Sequence, residues 1–192
     1  MKPGQLECRG PLVKNPFLIG DKVYLRAFEP EDAPLAVPWM NDQEVTRTLA
    51  WFRPANLQTE EEFIASSLKA DDRVALAIAV KESDRLIGAT GLEQIKWRER
   101  IACFGIVIGE KPAWGKGYGT DATRLMVKYG FETLNLNRIW LHAREDNTGG
   151  IRAYEKAGFR REGVLRQEVY REGRYWDVVA MAILRADWEG RL

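Results

Sequence analysis

The strongest constraint in the sequence is a glycine-rich segment, Trp-Gly-Lys-Gly-Tyr-Gly-Thr, at positions 114–120. It lies between an apolar stretch, Ile101–Gly109, that predicts a strand and an amphipathic stretch, Thr120–Leu134, that predicts a helix. Glycines let the backbone adopt positive φ and approach a ligand closely. The first helical amides, with Thr120 or Asp121 at or near the cap, would lack helical partners and would bind an anion such as a phosphate. The alternative is that the segment is only a tight strand-to-helix turn.

Two common phosphate-binding motifs do not match this segment. A Walker A loop requires a glycine five residues before its Gly-Lys pair and a serine or threonine directly after it. Glu110 and Gly117 stand at those positions. A dinucleotide fingerprint would place its third glycine at Thr120 and an acidic residue about 20 positions further on, where residues 135–140 contain none. The sequence therefore disfavours ATP hydrolysis and NAD binding.

Hydrophobic patterning predicts an α+β fold with one mixed, mostly antiparallel central sheet flanked by helices. Three consecutive strands with short connections predict a meander, and a final hairpin is expected to turn near Arg171–Gly173. Thr59 and Glu62 have the spacing of a capping box. We expect residues 1–16 to form a loosely ordered N-terminal arm and residues 17–192 a single domain. The predicted strands are Lys22–Phe28, Val74–Lys81, Leu86–Gln94, Ile101–Gly109, Arg138–Ala143, Glu162–Tyr170 and Arg174–Leu184, and the predicted helices are Glu31–Trp39, Asp42–Leu49, Thr59–Asp71, Thr120–Leu134 and Thr148–Ala157.

Charge and hydropathy exclude several classes of protein. The 192 residues carry 29 basic and 28 acidic side chains, and this net charge of +1 does not favour nucleic acid as a partner. The longest apolar runs, Val74–Val80 and Val178–Leu184, have seven residues each. A membrane span needs roughly 18. The first ten residues lack the apolar core of a secretory signal, so we expect a cytoplasmic protein without membrane contact.

The few cysteines and histidines limit the available chemistry. Cys8 and Cys103 lack the spacing of a zinc site and are too few for a disulfide scaffold, so we expect no metal. His142, the single histidine, lies in the alternating stretch 139–143. We interpret it as a strand residue rather than as part of a Ser-His-Asp or Cys-His machine. Most hydrolytic mechanisms would therefore lack their usual base.

Together with the glycine segment, Asn147 and the run Tyr154–Phe159 form a pattern that resembles the GNAT superfamily of acetyl-CoA-dependent N-acetyltransferases. The resemblance is greatest to the branch that includes the ribosomal-protein N-terminal acetyltransferases. It extends over nearly the whole chain and implies the GNAT fold, acetyl-CoA as co-substrate and compatibility with a homodimer. Further matching positions are Leu25-Arg26, Glu31-Asp32, Ile87-Gly88, Glu162-Gly163, Leu165-Arg166, Gly173-Arg174 and Asp177.

The resemblance implies roles for individual residues. Amides of the glycine segment would hold the coenzyme A pyrophosphate, while the strand end Ile106–Ile108 and Asn147 would contact the pantetheine arm. Tyr154 would protonate the departing thiolate, a role that suits a phenol because it stays protonated at neutral pH. Alternatively, Tyr154 is a core aromatic residue beside Ile151. The expected coenzyme-binding residues are Ile106, Val107, Ile108, Trp114, Gly115, Lys116, Gly117, Tyr118, Gly119, Thr120 and Asn147.

Three positions depart from the family pattern. Trp114 replaces an arginine or glutamine that often precedes the glycines, and Gly150 replaces a small polar residue three positions after Asn147. The fourth strand contains Ala102-Cys103-Phe104 where an acidic residue is common. The identity of the catalytic base is therefore open. The candidates are Glu93, Glu110 and a water chain to Asp146.

A site without a strong base on that strand favours amines of low pKa. An α-amino group with a pKa of about 7.7–8.0 is roughly 10–15% neutral at pH 7, and a lysine with a pKa of about 10.4 is about 0.04% neutral. The difference is about 3 kcal/mol. We therefore expect acetyl transfer to a protein N-terminal amine, with a small-molecule amine acetyltransferase or a non-catalytic acyl-CoA-binding regulatory protein as alternatives. Substrate contacts are expected from Trp39, Trp51, Arg53 and Glu93, whose aromatic members would form either pocket wall or core.

Overall fold

The computed structural model describes residues 14–189. Cys8 and most of the predicted arm over residues 1–16 therefore lie outside the described residues. No helix within the described range is long and apolar enough to cross a membrane. The elements in chain order are β1 (Leu18–Ile19), β2 (Val23–Arg26), α1 (Ala33–Asn41), α2 (Gln43–Thr46), α3 (Leu57–Ser67), β3 (Val74–Val80), β4 (Leu86–Lys96), β5 (Ile101–Ile108), α4 (Tyr118–Glu132), β6 (Arg138–Arg144), α5 (Thr148–Ala157), β7 (Arg160–Arg171), β8 (Arg174–Leu184) and α6 (Arg185–Glu189).

The strands form one sheet in the order β1-β2-β3-β4-β5-β6-β8-β7. Neighbouring strands are antiparallel except β5 and β6, which are parallel because α4 carries the chain back across the sheet between them. This arrangement confirms the predicted α+β fold with a mostly antiparallel sheet. It also confirms the meander, which consists of β3, β4 and β5.

Strands β5 and β6 pair over a short distance and then diverge. The paired residues are Ile101, Ala102 and Cys103 on β5 with Arg138, Ile139 and Trp140 on β6. Beyond Cys103, β5 continues along β4, and beyond Trp140, β6 continues along β8. The edge of β5 after Cys103 therefore faces an opening in the sheet.

Helices α4 and α5 pack against each other, and α4 covers one face of the sheet. Met126 and Phe131 of α4 and Ile139 of β6 are fully buried in this interface. A Cβ at Gly130 would lie 2.7 Å from the Ile139 side chain, so the close approach of α4 to the sheet requires glycine. Because α4 follows the glycine segment directly, this packing also fixes the segment at the end of β5.

A buried ion pair connects β2 to the turn before α1. The guanidinium of Arg26 donates to both carboxylate oxygens of Asp32, at 2.6 and 2.8 Å, and both residues are buried. The same carboxylate accepts the backbone N–H of Glu29 at 2.8 Å. Two of the family-like positions in the opening segment therefore stabilise the fold.

Helix α3 begins two residues earlier than predicted. Asn56 caps it, because its side chain accepts the N–H of Thr59 at 2.9 Å while the Thr59 hydroxyl accepts the N–H of Asn56 at 2.9 Å. The predicted capping box of Thr59 and Glu62 is wrong, since Thr59 is the last of the four residues of the box and not the first. An asparagine can supply the same capping oxygen as serine or threonine.

Other element bounds differ from the predictions for local reasons. Helix α2 begins one residue later than predicted because Asp42 is its cap, accepting the N–H of Glu44 at 2.8 Å, and it ends at Thr46 rather than Leu49. Strand β7 begins at Arg160 rather than Glu162, and α6 was not predicted. Helix α4 begins at Tyr118 rather than Thr120, directly after a left-handed glycine.

The prediction that Thr120 or Asp121 lies at or near the cap of α4 is wrong, because the cap is Gly117. Asp121 instead connects the helix to the loop before β2. Its carboxylate accepts the backbone N–H groups of Lys22 at 2.8 Å and Val23 at 3.0 Å. We expect Asp121→Ala to lower the free energy of unfolding by about 1–3 kcal/mol, because two backbone donors lose their acceptor. The corresponding fall in Tm is roughly 3–10 °C for a chain of this size. Asp121→Asn keeps one acceptor oxygen and should lose less, so equal Tm values for the three proteins would contradict this role.

Candidate active site

A cleft of about 650 Å³ opens where β5 and β6 diverge. Its walls are the end of β5, the glycine segment with the first turn of α4, the start of α5, and residues 44–50 around α2. Ten of the eleven predicted coenzyme-binding residues line it, and so does Tyr154. Lys116 belongs to the same turn but is not among the residues that line the cleft.

The glycine segment has the backbone geometry of an anion-binding turn. Gly115 and Gly117 have φ angles of 73° and 85°, in the left-handed region that favours glycine. The amides of residues 118–120 form the first turn of α4, so they have no acceptor within the helix. The indole N–H of Trp114 donates to the carbonyl of Ile108 at 2.8 Å. Trp114, which replaces a common polar residue of the family, therefore stabilises the turn against β5.

Lys22 adds a positive charge to this turn that sequence reasoning missed. Its ammonium group donates to the carbonyl of Lys116 at 2.8 Å. It also lies 3.3 Å from the point that a Cβ of Gly117 would occupy. Because Lys22 is 94 positions from Lys116 in the chain, no local signal identifies this neighbour.

The peptide groups of Ile106 face the cleft. The N–H of Gly109 donates to the carbonyl of Ile87 on β4 at 2.9 Å. Peptide groups alternate in direction along a strand, so those of Ile106 and Ile108 point away from β4. The carbonyl of Ile108 accepts from Trp114. Ile106 therefore offers a donor and an acceptor to an extended chain that contains amide groups.

Asn147 forms the opposite wall as the cap of α5. Its Oδ1 accepts the N–H of Gly150 at 3.0 Å. A Cβ at Gly150 would lie 2.7 Å from the Asn147 amide nitrogen. The glycine at position 150, which departs from the family pattern, therefore makes room for the capping side chain.

Tyr154 lies between the core and the cleft. Its ring packs edge-on against Phe104 and Phe159, with centroid distances of 6.0 and 6.1 Å, and the side chain also lines the cleft. Burial raises the pKa of Tyr154 to about 12. The phenol therefore stays protonated near neutral pH and is a proton donor rather than a base.

Two acidic side chains line the cleft, and cations engage both of them. Asp146 accepts from Arg144 at 2.6 and 2.8 Å and from Arg47 at 2.7 Å. The hydrogen bonds from Arg144 lower the pKa of Asp146. Glu44 pairs with Lys111 at 3.0 Å. A carboxylate held by two arginines is a poor proton acceptor and a poor anchor for a cationic ligand.

Arg152 and Lys156 of α5 give the cleft an excess of positive charge. Both side chains line it. Within residues 14–189, neither side chain forms an ion pair with a carboxylate. These two cations and Lys22 are therefore available to an anionic ligand.

Trp39, Trp51 and Arg53, which we predicted as substrate contacts, do not line the cleft. Trp39 donates its indole N–H to Glu110 at 3.1 Å, and Trp51 is half-buried. Residues 47–50, which directly precede Trp51 in the chain, line the cleft in their place. The aromatic residues could be identified from the sequence, but the direction in which their side chains point depends on how residues 39–53 pack against the rest of the fold.

Glu93 and Glu110, the other predicted base candidates, also lie outside the main cleft. Glu93 lines a smaller cavity of about 190 Å³, with its carboxylate 3.8 Å from Arg73. Glu110 accepts from Trp39 and lies 3.4 Å from Arg85. Neither residue is among those that line the cleft together with Tyr154.

His142 lines the cleft, which sequence reasoning did not indicate. It is exposed on β6, two residues beyond Trp140, where pairing with β5 ends. Its neighbours Leu141 and Ala143 point into the core on the other face of the sheet. Strand alternation correctly placed the histidine on a strand, but only the divergence of β5 and β6 exposes it to the cleft.

Comparisons with known proteins agree with this geometry. The family model for the acetyltransferase (GNAT) domain matches residues 22–160. An uncharacterized N-acetyltransferase, p20 of Bacillus licheniformis, is 30% identical over 176 residues, which cover 90% of this chain and 98% of that protein. The spermidine N(1)-acetyltransferase of Vibrio cholerae is 37% identical over 106 residues, which cover 55% of this chain and 61% of that protein.

One similar solved structure contains the coenzyme. It is the spermidine N-acetyltransferase from Vibrio cholerae in complex with CoA and spermine, with a TM-score of 0.81 and 28% identity, covering 87% of this chain and 98% of that one. The split sheet, the amide-rich turn and the uncompensated cations of the cleft fit such a coenzyme. Since the family model covers most of the chain, this protein belongs to the GNAT family and is an acetyl-CoA-dependent N-acetyltransferase.

Proposed function

We propose that this enzyme transfers the acetyl group of acetyl-CoA to the α-amino group of a peptide or protein N terminus. The observation that carries the proposal is the pairing of both carboxylates in the cleft. Asp146 is held by Arg47 and Arg144, and Glu44 is held by Lys111. Within the described residues the cleft therefore offers little negative charge to a substrate with several ammonium groups.

The coenzyme half of the site follows from the same geometry. Amides of residues 115–120 would hold the pyrophosphate, with Lys22, Arg152 and Lys156 supplying positive charge for the phosphates. The free edge of β5 at Ile106 would pair with the amide groups of the pantetheine arm. Asn147 would contact that arm from the opposite wall.

The amine half of the site suits a substrate of low pKa. An α-amino group is already partly neutral at pH 7, so it needs less help with deprotonation than a lysine or a polyamine, by about 3 kcal/mol. The carboxylate of Asp146 gives little such help, because its pKa is lowered by Arg144. Once the amine is neutral and positioned, attack on the thioester is effectively unimolecular. Tyr154 would then donate its proton to the departing sulfur.

A small-molecule polyamine is the second candidate substrate. The smaller cavity contains the carboxylate of Glu93, which is partly exposed and only loosely paired with Arg73 at 3.8 Å. This cavity shares Leu49, Gly105, Ile106 and Val107 with the main cleft. A second ammonium group could reach Glu93 from the cleft, and both the relative and the solved structure that are named above as spermidine acetyltransferases come from Vibrio cholerae.

A panel of amines at about pH 7 distinguishes the two candidates. We expect kcat/KM for peptides with a free N terminus to exceed that for N-terminally blocked lysine peptides by on the order of 10²-fold, from the difference in neutral fraction. Blocked peptides that lack lysine are the matched control and should not react. A higher kcat/KM for spermidine than for every peptide would overturn the proposal. In that case we would expect Glu93→Gln to weaken spermidine binding. A homodimer remains a prediction.

A further inference from the structure

We propose that His142 is the proton acceptor for the attacking amine. This inference rests on the proposed acetyl transfer to an amine but not on which amine is used. Three observations support this inference. They are the face of the sheet on which His142 lies, the open space beside His142, and the pairing or protonation of the other titratable groups near His142.

His142 and Tyr154 reach the cleft from opposite faces of the sheet. Tyr154 packs on Phe104, whose side chain points to the face covered by α4 and α5. Along β6, Leu141 points to that same face, so His142 points to the other one. Both side chains nevertheless line one cleft, because β5 and β6 have separated between them. A reacting carbonyl in the opening would have a proton donor on one face and a histidine on the other.

The face that carries His142 has room for a substrate. Cys103 lies opposite Trp140 on this face, and Gly105 is the next residue of β5 to point the same way. A Cβ at Gly105 would have no heavy atom within 4 Å. The His142 ring rests edge-on against Trp140 at a centroid distance of 4.9 Å. The imidazole therefore packs against Trp140 on one side and faces the opening between β5 and β6 on the other.

The other titratable and charged groups around His142 do not suit proton acceptance. Arg144 follows it on the same face and pairs with Asp146, which also pairs with Arg47. Burial raises the pKa of the Cys103 thiol to about 11, so the thiol keeps its proton. Strand β8 places Ala180 opposite His142, with Val178 and Ala182 as its neighbours on that face.

The proposed transfer moves one acetyl group to the amine and releases one proton to solvent. An imidazole nitrogen of His142 takes one proton from the ammonium group and later releases it to solvent. The neutral amine attacks the acetyl carbonyl, the C–N bond forms and the C–S bond breaks. Tyr154 gives its proton to the sulfur, and the second proton lost by the nitrogen restores the phenol through water. The products are an amide, a thiol and one released proton, with no oxidant or reductant needed.

The test compares the wild-type enzyme with His142→Gln, which keeps size and hydrogen bonding but cannot take up a proton. The readout is the ratio of their kcat/KM values against pH, with whichever amine the panel identifies as the best substrate. The two proteins are compared with the same amine at each pH. We expect a ratio of about 10² at about pH 7 that falls at higher pH, where the amine is already neutral, because only the wild-type enzyme can take a proton from the ammonium form.

Two further measurements separate proton acceptance from packing. The Kd for acetyl-CoA should be the same in both proteins, and added imidazole should restore His142→Ala activity at least several-fold while leaving Tyr154→Phe unchanged. A ratio below about 3 at all pH values, or a ratio that does not change with pH, would overturn the proposal. If spermidine proves to be the substrate and the ratio still changes with pH, only the preference for N-terminal amines fails. If peptides react and the ratio is flat, only the role of His142 fails.

Discussion

Replacing Tyr154 by phenylalanine should lower kcat by about 10³-fold, within the range usual for loss of a general acid. The substitution removes only the hydroxyl group, and the ring contacts with Phe104 and Phe159 are retained. Tm and the Kd for acetyl-CoA should therefore stay close to the wild-type values. Steady-state kinetics with a saturating amine measure the effect, and a variant with more than a tenth of wild-type kcat would contradict the assignment.

The pH dependence of this effect follows from the pKa of Tyr154. A general acid works only while it holds its proton, and burial raises this pKa to about 12. Between about pH 7 and about pH 9 the phenol should stay protonated, so the ratio of wild-type to Tyr154→Phe activity should be constant. A ratio that falls toward 1 over this interval would show that the phenol loses its proton there.

Replacing Gly119 by leucine should raise the Kd for acetyl-CoA by about 10³-fold, or about 4 kcal/mol. A Cβ at this position would point at β5, 3.9 Å from the Ile108 side chain and 4.0 Å from that of Ile106. A leucine would fill the gap between the amide-rich turn and the strand edge. Two charge-assisted hydrogen bonds lost at about 2 kcal/mol each give the expected magnitude.

Thermal unfolding with and without acetyl-CoA measures this loss. At about 100 times Kd the ligand should stabilise the wild-type protein by about 2.7 kcal/mol, or roughly 5–10 °C, and the shift should disappear in Gly119→Leu. Gly119→Ala is the control, because its Cβ would make only ordinary contacts. Alanine also favours the helix by up to about 1 kcal/mol, so this variant should fold and bind the coenzyme. Unchanged binding by Gly119→Leu would mean that the segment is only a turn.

Most of the proposed coenzyme half of the cleft could be predicted because its determinants are local. Three glycines within five residues, placed between a strand and a helix, permit the left-handed backbone seen at Gly115 and Gly117, and the start of a helix leaves its first amides free. The start of α4 was nevertheless predicted two residues late. Asp121 resembled a cap by its position, yet its carboxylate accepts from Lys22 and Val23 in a distant loop.

The amine half of the site could not be predicted in the same way. Trp39 and Trp51 were predicted as substrate contacts from the segment of the family fold in which they lie, and Glu93 as a carboxylate that could act as base. The structure places all three outside the main cleft. His142 was interpreted as an ordinary strand residue, although it lines the cleft. Alternation along a strand indicates which residues share a face, but not whether the neighbouring strand stays paired.

The sequence by itself determined the class of fold, the order of most of its elements and the glycine-rich turn before α4, since hydrophobic periodicity and glycine conformation act over a few residues. Only the tertiary structure decided the electrostatics of the cleft. With 29 basic and 28 acidic side chains, many pairings are possible, and Arg47 meets Asp146 across 99 positions. Charge pairing depends on distance in space, which the fold alone sets. The same reasoning applies to His142, whose access to substrate depends on β5 and β6 diverging after three paired residues.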